Sequence, residues 1–268
     1  MQHDEQFLRE FNRIWKEIKE YIVMIRDILL YMNKNYVPKF NLPLVEDMQY
    51  SQFKHHVILN PAIKERLIQL LIKEIRHERE GEIIEKSQIR NSVQMLIEVC
   101  KNSRKLYEQE FEKVLLQETA DFYKLESQQL ITDSSCGSFL EKAHKRLMQE
   151  YERVADYLDQ TTEKKLIGTF LNEYIGDAHS HTLLTMQSSG LVHMIRNNSM
   201  DELARTYNMF KRRPASFELL RKYLAEHIIN EGSKLVTEEV KNDDLVVKLI
   251  ELRERVSGIQ AEAMEKDN

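Results

Sequence analysis

Few side chains in this chain have the types and spacing that chemistry needs, and each such group fails on geometry. His179-Ser180-His181 has the best metal-like spacing. On a helix, however, residues two apart point about 200° away from each other, so the two rings do not converge on one ion. His55-His56 fails in the same way, and His77-Glu78 lacks the second histidine of a helical zinc site. Glu78, Glu80, Glu82 and Glu85 gather around Gly81 with lysines and arginines between them. General acid-base pairs need environments that force their pKa values apart, and an exposed charged turn does not provide them, so this cluster is read as a solvated face. Cys100 and Cys136 lie far apart with no paired spacing, and no phosphate-cradling glycine loop or nucleophile elbow occurs. The residues therefore predict no catalytic centre, no metal site and no cofactor. Lys211-Arg212-Arg213 before Pro214 is the one basic cluster. It reads as a helix C-terminus whose cations complement the macrodipole, the alternative being an anion or nucleic-acid site.

The elements that carry these residues are helical. With 7 Gly and 4 Pro among 268 residues, turns are scarce, and Leu, Glu, Lys, Gln, Arg and Met dominate. Apolar residues at Phe7, Phe11, Ile14, Ile18, Ile22, Ile25, Leu29, Met32 and Tyr36 step by three or four, which predicts one long amphipathic helix ended by Pro38. Residues 38–52 read as a connector. Asn60-Pro61 then opens a helix that Gly81 closes, and further helices are predicted over 87–100 and 106–131. Ser138 with Glu141 and Ser199 with Glu202 read as capping boxes. Helices follow over 162–186, 199–211, 217–231 and 243–264 (Asp243 to Met264), with Gly190 and Gly232 as punctuation. No alternation bounded by tight-turn pairs predicts a strand. The fold class is all-α, and batches of long helices about a hundred residues each predict large multi-helix repeats stacked into an elongated rod.

Charge and composition exclude other classes. Lys and Arg number 39 against 44 Asp and Glu, net −5, and the signs alternate along the chain, so no general nucleic-acid footprint is expected. No apolar run reaches the ~18 residues that a membrane span needs, and the charged start does not resemble a signal peptide. A soluble protein of the cytoplasm or nucleus is the expectation.

Several segments carry a family resemblance. Met24-Ile25-Arg26-Asp27-Ile28-Leu29-Leu30-Tyr31-Met32 resembles the last helix of the first cullin repeat, above all in cullins that use BTB-domain adaptors. Glu78-Arg79-Glu80-Gly81-Glu82-Ile83-Ile84 is similar to the glycine-containing turn of the second repeat. Tyr107 to Glu112 and Phe122 to Ser127 resemble its next helix, and Ser189 to Met194 and Asp201 to Phe210 are similar to the third repeat. The resemblance implies the last helix of a truncated first repeat at 1–37, a second repeat at 38–160 and a third at 161–268. Phe53 stands where the family usually has Trp, and residues 38–52 match poorly. The resemblance also implies a non-catalytic scaffold of a cullin-RING ubiquitin ligase that spaces a BTB-type adaptor from the RING end. The RING subunit would bind only through a carboxy-terminal half that has no counterpart in these residues. A helical tethering or trafficking subunit with unrelated partners is the competing reading.

The opening helix has two apolar faces. Met24, Ile28 and Tyr31, at i, i+4 and i+7, lie off the main stripe. The family resemblance places Tyr31 on the adaptor-contacting surface, so Tyr31, Met24 and Ile28 are the candidate partner-binding residues. The alternative is that this face packs against other first-repeat helices. The helical reading predicts a circular dichroism spectrum without substantial strand content and a scattering profile of an extended particle; a compact sphere would contradict the stacked-repeat expectation.

Overall fold

The structure is a computed structural model and describes residues 2–101, 103–237 and 242–261, leaving aside the side chains of 2–5 and 242–244. Every regular element among these residues is helical. In chain order they are α1 (Gln2–Ile28), a π-helical segment (Met32–Tyr36), α2 (Val37–Lys39), α3 (Val45–Phe53), a second π segment (Lys54–Ile58), α4 (Pro61–Glu80) and α5 (Lys86–Glu98). A third π segment (Tyr107–Glu112) leads into α6 (Lys113–Asp133), followed by α7 (Cys136–Tyr157), a 3-10 turn (Gln160–Thr162) and α8 (Glu163–Tyr174). The chain continues through α9 (Asp177–Thr185), α10 (Leu191–Arg196), α11 (Met200–Lys211), α12 (Pro214–Thr237) and α13 (Asn242–Ile259). Of the helix expected over 243–264, Met264 lies outside the described residues. Two compact units form, one from Met1–Glu118 with Tyr151–Lys165 and the other from Thr119–Glu150 with Leu166–Asn268.

In the first unit the core gathers Leu8, Phe11 and Trp15 of α1, Leu67, Leu71 and Ile75 of α4, and Ile89, Val93 and Leu96 of α5. The Trp15 ring lies 4.9 Å from Phe53 and 6.1 Å from Tyr50, which fastens α1 to α3. The core stripe of α1 differs from the one its spacing predicts. Leu8 and Trp15 are buried, whereas Ile14, Met32 and Tyr36 are exposed, because the seam follows the residues that α3 and α5 contact. Asn12, which no apolar pattern marks, is buried where its Nδ2 donates to Gln88 O at 3.0 Å and its Oδ1 accepts from Ser92 Oγ at 3.1 Å.

Local boundaries follow the expected chemistry at some ends and not at others. Asn60 caps α4 by accepting from Ala62 N at 3.1 Å, and Gly81 ends it in the left-handed region at φ 96°. Pro38 does not end the opening helix. The Val37 N–H reaches back to Met32 O, and the chain turns only at Asn41, with φ 51°. The expected connector contains α3, whose first N–H is capped from a distance: Asn33 Oδ1 accepts from Val45 N at 3.0 Å. The cap of α7 is Ser135, whose Oγ accepts from Ser138 N at 3.2 Å, so Ser138 and Glu141 form no capping box. Ser199 occupies the N-cap of α11 without a side-chain cap bond. The helix expected over 162–186 breaks into α8 and α9 at Gly176, and Gly232 lies inside α12. Gly190 does punctuate the chain. A Cβ there would stand 2.4 Å from Met186 O, so only glycine fits this turn.

Half-buried carboxylates also lie against the core. Glu78 is not on a solvated face: Arg153 Nε donates to it at 3.1 Å, Tyr157 Oη at 2.5 Å, and Lys86 Nζ stands 3.0 Å away. Glu80 and Glu85, by contrast, pair with Arg76 and Arg9 in the exposed way expected. In the second unit Tyr123, Phe139, Phe170 and Tyr174 form an aromatic core, with Phe170 and Tyr174 stacked at 4.7 Å. Glu126 enters it, accepting from Tyr174 Oη at 2.5 Å and Arg146 Nη2 at 2.7 Å. Removing one partner of a buried pair strands the other, so Arg153→Met should lower the stability of the first unit by about 3 kcal/mol. Adding Glu78→Leu should recover much of that loss. Denaturant titration of both variants checks this, and a double variant as unstable as the single would contradict it.

Candidate functional site

The groups first considered for chemistry are separated or occupied. His179 Nδ1 lies 2.8 Å from Glu173 O, while His181 packs edge-on against Tyr223 at 5.7 Å, so the two imidazoles serve different neighbours. His56 bonds Gln52 at 3.0 Å, and His77 stands 3.5 Å from Glu82. Among the described residues, no group of three or more His, Cys, Asp or Glu side chains could hold a metal ion. Cys136 is buried, and that burial, together with the Glu202 carboxylate, pushes its thiol up to about 12. A thiolate nucleophile at neutral pH is therefore not available there. Arg213 of the basic cluster is spent on structure, donating to Asp177 Oδ1 at 2.6 Å and Asn172 Oδ1 at 3.1 Å. No described helix is long and apolar enough to cross a membrane.

What remains is surface, and the largest apolar contribution comes from α1 and the turns after it. The inward side of α1 is held by buried Ile22 and, further on, by buried Asn33 and Val37. Polar ties flank this seam: Lys19 pairs with Glu98 at 3.0 Å, and Arg26 Nη1 stands 4.0 Å from Glu46 of α3. With that side fixed, helical geometry turns Met24, Ile28 and Tyr31 outward, and they are 51%, 71% and 81% exposed. Met24 and Ile28 line a shallow concavity with Val23, rimmed by Lys19, Glu20 and Asp27. Tyr31 lies three residues beyond Ile28 and does not line this concavity, so the structure brings two of the three predicted residues into one depression.

Sequence reasoning missed part of this surface. Val23 continues the concavity, and the Tyr36 and Phe40 rings lie tilted against each other at 4.5 Å, both half exposed. Leu42, Leu44 and Met48 are exposed nearby in sequence. The spacing places Tyr36 on the core stripe, Val23 lies inside the predicted opening helix, and Phe40, Leu42, Leu44 and Met48 fall in the expected connector. The signal that separates them is the burial of Asn33 and Val37, which a π turn places inward and which no 3.6-residue pattern predicts. Exposed apolar side chains gathered along one element mark an interaction surface more often than an accident of folding.

Comparison with known proteins gives this geometry a setting. A family model described as Cullin alpha solenoid domain matches residues 1–268. Cullin-3 of Dictyostelium discoideum is 36% identical over 267 residues, covering 98% of this chain and 35% of that protein. Cullin-3A of Arabidopsis thaliana is 34% identical over 256 residues (94% of this chain, 34% of that protein). Cullin-4A of Homo sapiens is 29% identical over 254 residues (94% and 32%). The chain thus spans about a third of the length of these curated relatives.

If the outward face of α1 is a surface and not core, its residues can be removed without loss of fold. Met24→Ala, Ile28→Ala and Tyr31→Ala should each change unfolding free energy by no more than about 0.5 kcal/mol, whereas Trp15→Ala should cost about 3–5 kcal/mol. Denaturant unfolding of the four variants makes the comparison. A Tyr31→Ala loss as large as that at Trp15 would show that the face is packed.

Proposed function

The chain belongs to the cullin family, and we propose that it is a non-catalytic scaffold segment of a cullin-RING E3 ubiquitin ligase, with a BTB-domain substrate adaptor docking on the outward face of α1. The observation that carries this reading is the division of α1 and the turn that follows it into a pinned inner seam and an exposed outer face of Met24, Ile28 and Tyr31. An aromatic ring with a hydroxyl tip, beside a flexible methionine and a β-branched isoleucine, suits a partner that buries the ring and hydrogen-bonds the tip. The RING subunit belongs with a carboxy-terminal half like that of whole cullins and is not expected to bind these residues. No cofactor enters the proposal, and the working compartment is the cytoplasm, the nucleus or both.

The mechanism is mechanical. Adaptor and ubiquitin-charged enzyme held on one scaffold meet at an effective concentration set by geometry, so transfer becomes in effect intramolecular. The scaffold's contribution is a fixed position for the adaptor, and buried pairs such as Arg153–Glu78 in the unit that bears α1 oppose helix slippage.

The test is titration calorimetry of the chain with a BTB-domain adaptor, run for the native sequence and for Tyr31→Ala, with helicity checked for both. Weak binding is expected from this face alone, and loss of the tyrosine should cost about 2 kcal/mol, roughly thirtyfold in affinity. Binding unchanged by the substitution would remove Tyr31 from the site. Absence of binding by either protein would show that α1 is insufficient for adaptors.

A further inference from the structure

The second unit contains a cavity of about 450 Å³ among α10, α11, α12 and α13 that the scaffold reading does not use. Buried Ile195, Leu220 and Ile259 line it, and half-buried Phe217, Leu224 and Val256 extend its apolar surface. Small-molecule cavities start at about 300 Å³ and are mostly apolar with a few polar groups, so size and lining both suit a ligand. The polar groups come from the seam between α12 and α13. Arg255 is three residues from Leu252 and four from Ile259, so it shares the face of α13 that lines the cavity. His227 stands in the same relation to Leu224 on α12. Neighbours account for Arg221, the other cation here: its Nη1 donates to Glu218 Oε1 at 3.0 Å, and it lies over the Phe217 ring at 5.9 Å. Glu231, the acid nearest in effect to His227, is held by Lys234 at 3.4 Å and Arg196 at 3.7 Å. Among the described residues, no hydrogen bond, ion pair or ring contact holds Arg255. Burial, and with it Arg196, Lys234 and Arg255 against the opposing Glu231, lowers the His227 pKa, as a locally positive mouth does.

We propose that this cavity binds an aliphatic monocarboxylate, with its chain among the apolar residues and its carboxylate on Arg255. Arg255, unpaired among the described residues, matches one anionic group, and its planar fork suits a carboxylate. The volume takes a single hydrocarbon chain and not a peptide helix, which is about 10–12 Å across with its side chains. The Phe217 ring is already engaged, edge-on to Tyr207 at 5.6 Å and under Arg221, so the surface left to a guest is mainly aliphatic.

The test is titration calorimetry of the full chain with sodium hexanoate, octanoate and decanoate below their micelle-forming concentrations, and with decanol as the neutral control. Affinity should rise by about threefold to fourfold per added methylene while the cavity fills. Arg255→Gln should weaken decanoate by about fivefold or more and leave decanol within about twofold. Arg253→Gln removes the same charge from the same helix outside the cavity and should leave both ligands unchanged. Leu252→Trp fills the cavity and should abolish binding of both, with circular dichroism to confirm the fold. Arg253 and Arg255 are exposed, so their variants keep the fold and decide the matter should the filled variant unfold. The proposal is overturned if decanoate does not bind, if Arg253→Gln weakens it as much as Arg255→Gln does, or if a folded Leu252→Trp still binds it. Undiminished binding by Arg255→Gln also overturns it, since that is the result for a cation that only extends its stem over apolar surface.

Discussion

The packing of Trp15 against Phe53 and Tyr50 fixes where α1 sits, and the assignment of its outer face depends on that placement. The indole is 3% exposed and its Nε1 has no hydrogen-bond partner among the described residues, so ring packing holds it, with Lys19 Nζ 5.7 Å from the ring. An aromatic side chain locked in this way sets the rotation of the helix about its axis. Once Trp15 and Ile22 face inward, Met24 and Ile28 have no inward direction left to them. The rotation is confirmed at both ends: Asn12 reaches Gln88 and Ser92 of α5, and Asn33 caps α3. These amides are directional where apolar contacts are not, and a rotation of a few tens of degrees would break them while leaving the apolar contacts nearly as good.

The same logic recurs where acids enter the core. Glu78 meets Tyr157 and Arg153, and Glu126 meets Tyr174 and Arg146; Glu150 accepts from Tyr123, and Glu112 accepts from Thr162 at 2.8 Å and faces Lys165 at 2.6 Å. Glu112 and Glu150 are buried, Glu78 and Glu126 are half-buried, and each is answered by a hydroxyl. Burial pushes Tyr107, which bonds Thr162 at 2.7 Å, up to about 12, so it stays a neutral donor or acceptor throughout the physiological range. Networks of this kind add little net stability over apolar packing. They penalise any register in which the partners miss each other, which matters in a stack of helices whose apolar seams would otherwise tolerate slippage.

Helix identity was legible where the signal is local. Asn60-Pro61 and Gly81 bound α4 because a side-chain cap, a fixed φ and a left-handed residue act within one turn, and α11 spans Met200–Lys211 much as its stripe predicts. The failures share a non-local cause. α3 is capped by Asn33 from twelve residues away, and the inward turn of Glu78 is set by α7, some seventy-five residues on. On α1, Ile14 and Trp15 are adjacent and both apolar, and only the position of α3 decides which is core. Of the candidate site, the three outward residues were legible from their i, i+4, i+7 spacing, while Val23, Tyr36 and Phe40 were hidden because a π turn shifts the phase of the helix.

Ile28 and Tyr31 stand exposed beside a buried inner seam, and none of the described residues covers them. Leaving them in water forgoes about 1.5–3 kcal/mol for each large apolar side chain that burial would return. That forgone burial is available to any partner with a complementary groove, and α1 is held rigid by Trp15, so little ordering entropy opposes its use. A scaffold has the same physical need: a surface unsatisfied in isolation, carried on an element that does not move when the surface is covered.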